Sequence, residues 1–585
     1  MSQTTRDAVA PRGATRAGND DGSFTHRQIV TIIVGLMVAM FLAALDQTVV
    51  STAIRTIADD LQGYDLQAWA TTAFLITSTI STPLYGKLSD IYGRRPFYMF
   101  AIAVFVVGSL ACAFAQSMYQ LAAFRAIQGI GAGGLMSLAL AIIGDVVPPR
   151  ERSRYQGYFM AVFGTSSVLG PVIGGFLAGQ ESLLGLTGWR WIFLINVPLG
   201  VLALVVVSRV LHLPHTRREH RIDWPGAVAL VVFLVPLLIV AEQGRIWGWG
   251  SGAALTCYAI GAVGFVLFVL AERAYRDEAL LPLRLFRNRT FAVAGVGSVV
   301  MGAGMFGGIL LLPQYLQIVH GSSATVAGLQ MIPMVAGIMT GAVSSGIAIS
   351  RTGRYKVFPL VGIVFMVVAL VSMSFVVEAD TAYWVLVPFM VLLGLGLGFN
   401  FQPVILAVQN SVSPREMGVA TSSVTFFRQM GGTLGVAVFL SLLFTRLPVD
   451  IGNAFRSAGL GAPPFDTDAV LSDTSSVGSA PPQAVQAFRV GFSDSIDLVF
   501  LIAACVVAVG FFVLLFLPQL ELSNKSGIQA QQEAERSTAT GDPTTADDAT
   551  RAAGAAAPTS VSPVQGPAAG DGTTGDGVHE HGPRR

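Results

Sequence analysis

Charge is what this chain has least of. Only 12% of its 585 residues are Asp, Glu, Lys or Arg, and lysine occurs three times, at Lys87, Lys356 and Lys525. The 36 basic and 35 acidic residues leave a net charge of +1, so the basic surplus that nucleic-acid binding needs is missing. Cysteine is nearly absent as well. Cys112, Cys257 and Cys505 all fall inside apolar runs, which suggests neither a disulfide framework nor a metal site. No GxxxxGK[ST] sequence occurs, and no loop is large enough for an ATPase domain, which disfavours ATP-driven work. No catalytic constellation points to an enzyme.

Apolar residues take the place of charge. They make up 53% of the chain, and the mean hydropathy is +0.63, far above that of soluble domains. They arrive in runs of about 20, the length that crosses a bilayer as a helix. The runs predict spans at 28–51, 67–86, 97–115, 119–146, 156–179, 190–211, 224–242, 253–272, 291–317, 325–349, 357–377, 382–408, 418–445 and 493–517. Residues 1–26 are polar and read as a disordered N-terminus. The run after them is too long for a cleavable signal peptide and lacks a small-residue cleavage site. Residues 521–585, rich in Ala, Gly, Thr, Pro and Asp, read as a disordered tail.

Arginine sets the expected orientation. The loops at 87–96, 147–155, 212–222, 273–290, 350–356 and 409–417 carry about eighteen Lys and Arg, against about six in the alternate loops. Both termini are expected on the cytoplasmic side of a plasma membrane. The long segment 446–492 then becomes an outside loop, with a short helix near 482–490 as its one structural suggestion.

Two repeats organise these spans. Gly86-Lys-Leu-Ser-Asp90-Ile-Tyr-Gly93-Arg94-Arg95-Pro96 recurs in degraded form at Gly346, Ser350, Gly353 and Arg354, 260 positions later. Pro149-Arg150-Glu151 recurs as Pro414-Arg415-Glu416, 265 positions later. Both map span n onto span n+8. The predicted fold is therefore all-α and polytopic, with fourteen transmembrane helices: a six-helix bundle at 27–212, an inserted pair at 213–289, and a second six-helix bundle at 290–520. Such two-fold construction marks secondary transporters, in which one half moves against the other.

Several motifs in order resemble the fourteen-helix drug/proton antiporters of the major facilitator superfamily. They are Leu45-Asp46-Gln-Thr48-Val-Val, the Gly86–Pro96 loop, and Arg125-Ala-Ile-Gln128-Gly129-Ile-Gly131-Ala-Gly133. Gly164-Thr-Ser-Ser-Val-Leu-Gly170-Pro171-Val-Ile-Gly174-Gly175 and Trp189-Arg-Trp191-Ile-Phe-Leu-Ile-Asn196-Val-Pro198 follow. The resemblance implies the major facilitator fold and proton-driven export of hydrophobic, often cationic drugs or antibiotics. It also implies a protein working as a monomer in the bilayer, with the proton as coupling ion and no other cofactor. An exporter of a dedicated metabolite or lipid, and a membrane receptor or scaffold, are the alternative readings. The family pattern continues after Thr48 with Asn and Pro, where this chain has Ser51 and Arg55.

Asp46 and Arg125 are the expected proton-coupling pair. Both lie in the outer half of the membrane, where an ionised carboxylate is costly and an arginine stays charged and needs partners. The plainer readings are a packing aspartate, and an arginine satisfied by carbonyls and Gln128. Gly86, Asp90, Gly93, Arg94 and Arg95 form a candidate conformational latch. Asp90 is expected either to cap the next helix or to pair with Arg94 or a neighbouring arginine, and Ser350 makes the second copy weaker. Gly164, Gly170, Pro171, Gly174 and Gly175 make a kinked, small-sided span 5, while the Gly129/131/133 and Gly394/396/398 rows read as packing surfaces. Gln128, Gln314, Asn400, Gln402 and Arg428 are intramembrane polar candidates, and Arg428 reads equally as structural or as a partner for anions. Phe306, Tyr315, Phe399 and Phe401 are candidate aromatic walls.

Overall fold

A computed structural model describes residues 25–62, 67–213, 223–461, 481–530 and 532. Among these residues the chain is helical, and its long helices match the fourteen predicted spans. In chain order they are α1 (His26–Asp60), α2 (Gln67–Tyr92), α3 (Arg94–Ala113), α4 (Met118–Val146), α5 (Pro149–Ala178) and α6 (Arg190–Leu194 continued by Asn196–Val210). The inserted pair is α7 (Trp224–Trp247) and α8 (Gly252–Tyr275). The second bundle holds α9 (Arg289–Ile318), α10 (Ala324–Gln330 continued by Ile332–Thr352), α11 (Val357–Val376), α12 (Tyr383–Ser411), α13 (Met417–Ser457) and α14 (Pro482–Leu515). Eleven stretches are long and apolar enough by composition to cross a membrane. α2 falls short because its middle, Thr77-Ser-Thr-Ile-Ser-Thr82, carries hydroxyls toward the protein interior.

Local signals set the helix starts. Thr25 makes a capping box with Gln28, and Ser117, Ser251 and Asn288 accept from the first turns of α4, α8 and α9. Gly93 and Gly353 end α2 and α10 at φ 99° and 69°, a left-handed region that strongly favours glycine. That requirement explains why both glycines survive in the two copies of the repeat.

The repeat also appears in the packing. Gly129 and Gly133 of α4 lie on the α2 backbone at Phe74 and Ser78, and Gly131 lies on α3 at Ala101 and Phe105. In the second bundle, Gly394 and Gly398 of α12 lie on α10 at Met334 and Ile338, and Gly396 lies on α11 at Gly362. A Cβ at any of the six would meet neighbouring backbone. These rows are packing surfaces, as expected, and let the central helices approach closely.

The inserted pair packs α7 on α8 through Gly261 and Gly264, and α7 lies against both α2 and α13. Trp249 Nε1 donates to Ser441 Oγ (3.3 Å) and Arg284 pairs with Glu416 (2.8 Å), fastening the pair to the second bundle at both ends.

Two boundaries differ from expectation. The segment 446–492 is a loop only in part: α13 continues to Ser457, and the helix suggested near 482–490 is the start of α14 at Pro482. The two extensions stay paired through Ser495 Oγ donating to Asp450 (2.9 Å) and Gly491 packed on Ile451, while 462–480 lie outside the described residues. Hydropathy marks only the membrane-crossing part of a helix. Likewise, 521–530 belong to an ordered strap. Tyr355 Oη donates to Pro518 O (2.7 Å) and accepts from Leu520 N (2.9 Å), and Asn410 Nδ2 donates to Glu521 O (2.9 Å). Gly527 reaches Gly144 and Asp145 of the other bundle. The strap crosses the face on which residues 25 and 530 lie, called here the terminal face. The rest of the expected tail lies outside the described residues.

Candidate functional site

Asp46 is the meeting point of the first bundle. Its Oδ2 accepts from Arg125 Nη1 (2.6 Å), and its Oδ1 accepts from Gln128 Nε2 (2.8 Å) and Asn196 Nδ2 (2.6 Å). Gln128 and Asn196 also donate to Ser109 Oγ, each at 2.8 Å. Arg125 further donates to Gln128 Oε1 (2.8 Å) and Ala70 O (3.3 Å). The guanidinium carbon stands 4.1 Å over the Phe74 ring. Asp46, Arg125, Gln128, Asn196 and Ser109 are all at most 1% exposed. Helices α1, α2, α3, α4 and α6 therefore converge on one sealed carboxylate. The expected pair is brought together, and the plainer partners of Arg125 are present beside it.

A cavity of about 180 Å³ lies between the bundles next to this cluster. Phe74 is common to both, with one face under Arg125 and its ring also in the cavity wall. Gln47, the neighbour of Asp46, lines the cavity too. The rest of the wall is largely apolar and sulfur-rich (Met40, Met136, Phe159, Phe163, Met305, Leu397), with Gln402 and Gln429 among its polar members and Arg428 as the one ionisable residue among the described ones. Asn400 shares a small side recess with Arg428 and Ser298.

The other cavity candidates sit elsewhere. Gln314 and Tyr315 are absent from the lining; Tyr315 Oη donates to Glu378 O (2.7 Å). Phe399 packs with Phe358 and Phe365, while Phe401 does line the cavity. The side chain of Phe306 lies outside the described ones.

Toward the terminal face the bundles are bolted together. Asp90 lies beyond the membrane-crossing part of α2 (67–86). Its Oδ2 accepts from Val419 N (2.8 Å), in the first turn of α13, and its Oδ1 pairs with Arg94. Arg94 also reaches Asp145 (2.7 Å) and Ser89 Oγ (2.7 Å). The expected cap on the next helix is thus corrected. Asp90 serves the N-terminus of a helix in the opposite bundle, where unpaired N–H groups and the helix dipole favour an anion. Gly86 faces Gly418 and Ser422, and Gly418 faces Asp90 and Arg94, so neither position leaves room for a Cβ. Burial pushes the Asp90 carboxyl up to about 6; Asp145 adds to the rise, and Arg94 and the Val419 N–H oppose it.

Further bonds join the bundles here. Arg152 donates to Gln409 Oε1 (2.7 Å) across the interface and to Gly144 O (2.6 Å) within its own bundle, and Gln409 Nε2 donates back to Leu140 O (3.1 Å). Arg150 Nε donates to the Ser350 carbonyl (3.2 Å), whose hydroxyl turns back to Gly346 O (3.0 Å). The second latch therefore offers a carbonyl where the first offers a carboxylate. Arg95 donates to Ser208 O (2.6 Å) inside its own bundle and takes no part across the interface.

The span-5 motif divides between two neighbours. Gly170 and Gly174 pack on α1 at Thr48 and Val49, whereas Gly164, Pro171 and Gly175 meet Val335, Gly328 and Thr325 of α10. Sequence reasoning alone gives Asn196, Ser109, Arg152 and Gln409 no role. Asn196 stood within a quoted motif, but nothing in that motif indicates the distant carboxylate it serves.

Comparison with known proteins follows this geometry. Residues 36–436 match the family model for the Major Facilitator Superfamily. An uncharacterized MFS-type transporter of Mycobacterium tuberculosis is 37% identical over 525 residues, covering 90% of this chain and 74% of that one. Multidrug resistance protein 3 of Bacillus subtilis is 35% identical over 492 residues, covering 83% and 94%. Among solved structures, the proton:xylose symporter XylE bound to 6-bromo-6-deoxy-D-glucose aligns with TM-score 0.56 at 17% identity, over 87% of this chain and 99% of that one. At that identity the likeness speaks for the fold.

Proposed function

The chain belongs to the major facilitator superfamily, and from that premise we propose that it is a proton-coupled exporter of hydrophobic small molecules, working by alternating access. The observation that carries this reading is the single Phe74 ring between the sealed Asp46–Arg125 pair and the central cavity. A change of occupancy on one side of that ring is felt on the other. Similarity to a protein named for multidrug resistance supports the direction of transport.

In this reading the membrane is the plasma membrane, both termini are cytoplasmic, and the terminal face is the cytoplasmic gate. That gate is held shut by Asp90, Arg94, Arg152 and Gln409. Protonation of Asp46 from outside removes the charge that Arg125, Gln128 and Asn196 hold. Arg125 keeps Gln128 Oε1 and Ala70 O as partners but loses its counter-ion, which loosens the bundle around Asp46. The gate then opens inward, a substrate enters, and the proton leaves to the cytoplasm. No covalent chemistry and no cofactor are required beyond the proton, and a single copy of the chain holds the pair, the cavity and the gate.

Expression in pump-deficient cells tests the reading. Raised tolerance to a panel of apolar toxic compounds, abolished by a protonophore, is expected. Unchanged tolerance across the panel, or protection that survives the protonophore, contradicts it.

A further inference from the structure

We propose that the central cavity takes apolar molecules that carry an acidic group, and that the Arg428 guanidinium is their anchor. The inference rests on the transport reading above and narrows its substrate class.

Among the described residues four arginines are buried at functional positions, and three are satisfied. Arg125 has Asp46, Gln128 and Ala70 O; Arg94 has Asp90 and Asp145; Arg152 has Gln409 and two carbonyls. Arg428 is different. It is 9% exposed and lies eleven residues into α13, roughly 16 Å from the helix start at 1.5 Å per residue, near the middle of the hydrocarbon layer. Among the described residues it has no carboxylate and no hydrogen-bond acceptor. Its one contact of this kind is the Phe401 ring, 3.7 Å from the guanidinium carbon.

Stacking occupies the face of the guanidinium and leaves its edge, where the N–H donors form a fork that matches a carboxylate or sulfonate. Arg428 lines the cavity, and among the described residues no acidic one does. A buried, unpaired cation is costly unless something completes it, and here the space beside it is open to a ligand. The apolar wall of Met40, Phe159, Phe163 and Leu397 suits the body of such a ligand, and the arginine suits its head. A cationic drug, the class implied by the sequence resemblance, meets a like charge and no carboxylate in this lining.

The test uses two probes with the same ring system and opposite charge, 1-naphthaleneacetate and 1-naphthylmethylammonium, titrated calorimetrically into the purified full-length protein. The acid is expected to bind at least about tenfold more tightly, the low end for a desolvated ion pair. Arg428→Lys keeps part of that preference, because charge remains without the fork. Arg428→Gln abolishes it, while melting at or above the wild-type temperature because an unpaired charge has been removed. Equal affinity for the two probes, tighter binding of the cation, a preference that survives Arg428→Gln, or binding of neither probe overturns the proposal. Binding is read here without transport, so an exporter that prefers cations would refute this inference and leave the transport reading standing.

Discussion

Asp46 and Arg125 meet at 2.6 Å in the interior of the first bundle, from α1 and α4, with neither side chain reaching solvent. Removing one member of such a pair strands the other, at a cost of about 3–5 kcal/mol. Asp46→Asn and Arg125→Gln are each expected to lower the melting temperature sharply. The double variant should lose less than the sum, with a coupling of about 1–3 kcal/mol. Thermal unfolding of the four proteins in detergent measures this cycle, and strict additivity would show that the pair does not act as one.

Phe74 separates the pair from the cavity. Phe74→Ala removes the ring under Arg125 and opens the wall, and it is expected to uncouple the two sides. Proton leak without substrate should rise and substrate-driven proton movement should fall, both read with a pH-sensitive dye in vesicles. Normal coupling in this variant would remove Phe74 from the pathway.

The latch is asymmetric because Asp90 reaches Val419 N across the bundles while the Ser350 hydroxyl does not cross. Asp90→Ala should slow turnover and raise cysteine-labelling of the terminal face; Ser350→Ala should leave both near wild type, since it deletes only a hydroxyl bonded within its own helix. Gly418→Ala places a Cβ on Asp90 and Arg94 and should prevent closure outright. Equal effects of the Asp90 and Ser350 variants would contradict the asymmetry.

The closed latch also carries a pH dependence. Asp90 has a carboxyl pushed up to about 6 when buried, against about 3.9 for a solvated aspartate in the open state. The closed state therefore binds more protons between these values. Closure is favoured as pH falls from about 6 toward 4 and is insensitive above 7. Distance measurements between spin labels on the two bundles should show this trend, and Asp90→Asn should flatten it. A trend of opposite sign would contradict the assignment.

Much of this is legible in the sequence. Hydropathy counts the helices and sets their depth, and depth alone is enough to bring Asp46 and Arg125 to the same level. The glycine rows announce close packing because their spacing keeps them on defined helix faces. Rotation about each helix axis is less visible. Gln314 and Gln402 read alike in sequence, yet only Gln402 faces the cavity. Asp90 finds its donor partner 329 positions away. Asn196 follows a break in α6 at Ile195 set by Pro198, which has no N–H to give to Leu194 O; the proline marks the break and not the carboxylate that Asn196 meets. The extensions of α13 and α14 bury Leu447, Ile451, Phe455 and Phe488 among polar neighbours that lower their mean hydropathy. The strap at 517–530 is held by tertiary hydrogen bonds, so composition there points to a tail.

Reconstitution tests the central claim most directly. Purified protein is placed in sealed liposomes loaded with a pH-sensitive dye, a pH gradient is imposed, and uptake of 1-naphthaleneacetate and of ethidium is followed with and without nigericin. The gradient contributes about 1.4 kcal/mol per proton per pH unit, and the potential about 2.3 kcal/mol per charge per 100 mV. Export of an anion against one entering proton moves two charges, so its flux should also respond to potential. The account predicts that at least one probe accumulates with stoichiometric proton movement, and that nigericin and Asp46→Asn each abolish the accumulation. Accumulation that ignores the pH gradient, or that persists in a folded Asp46→Asn protein, would contradict it.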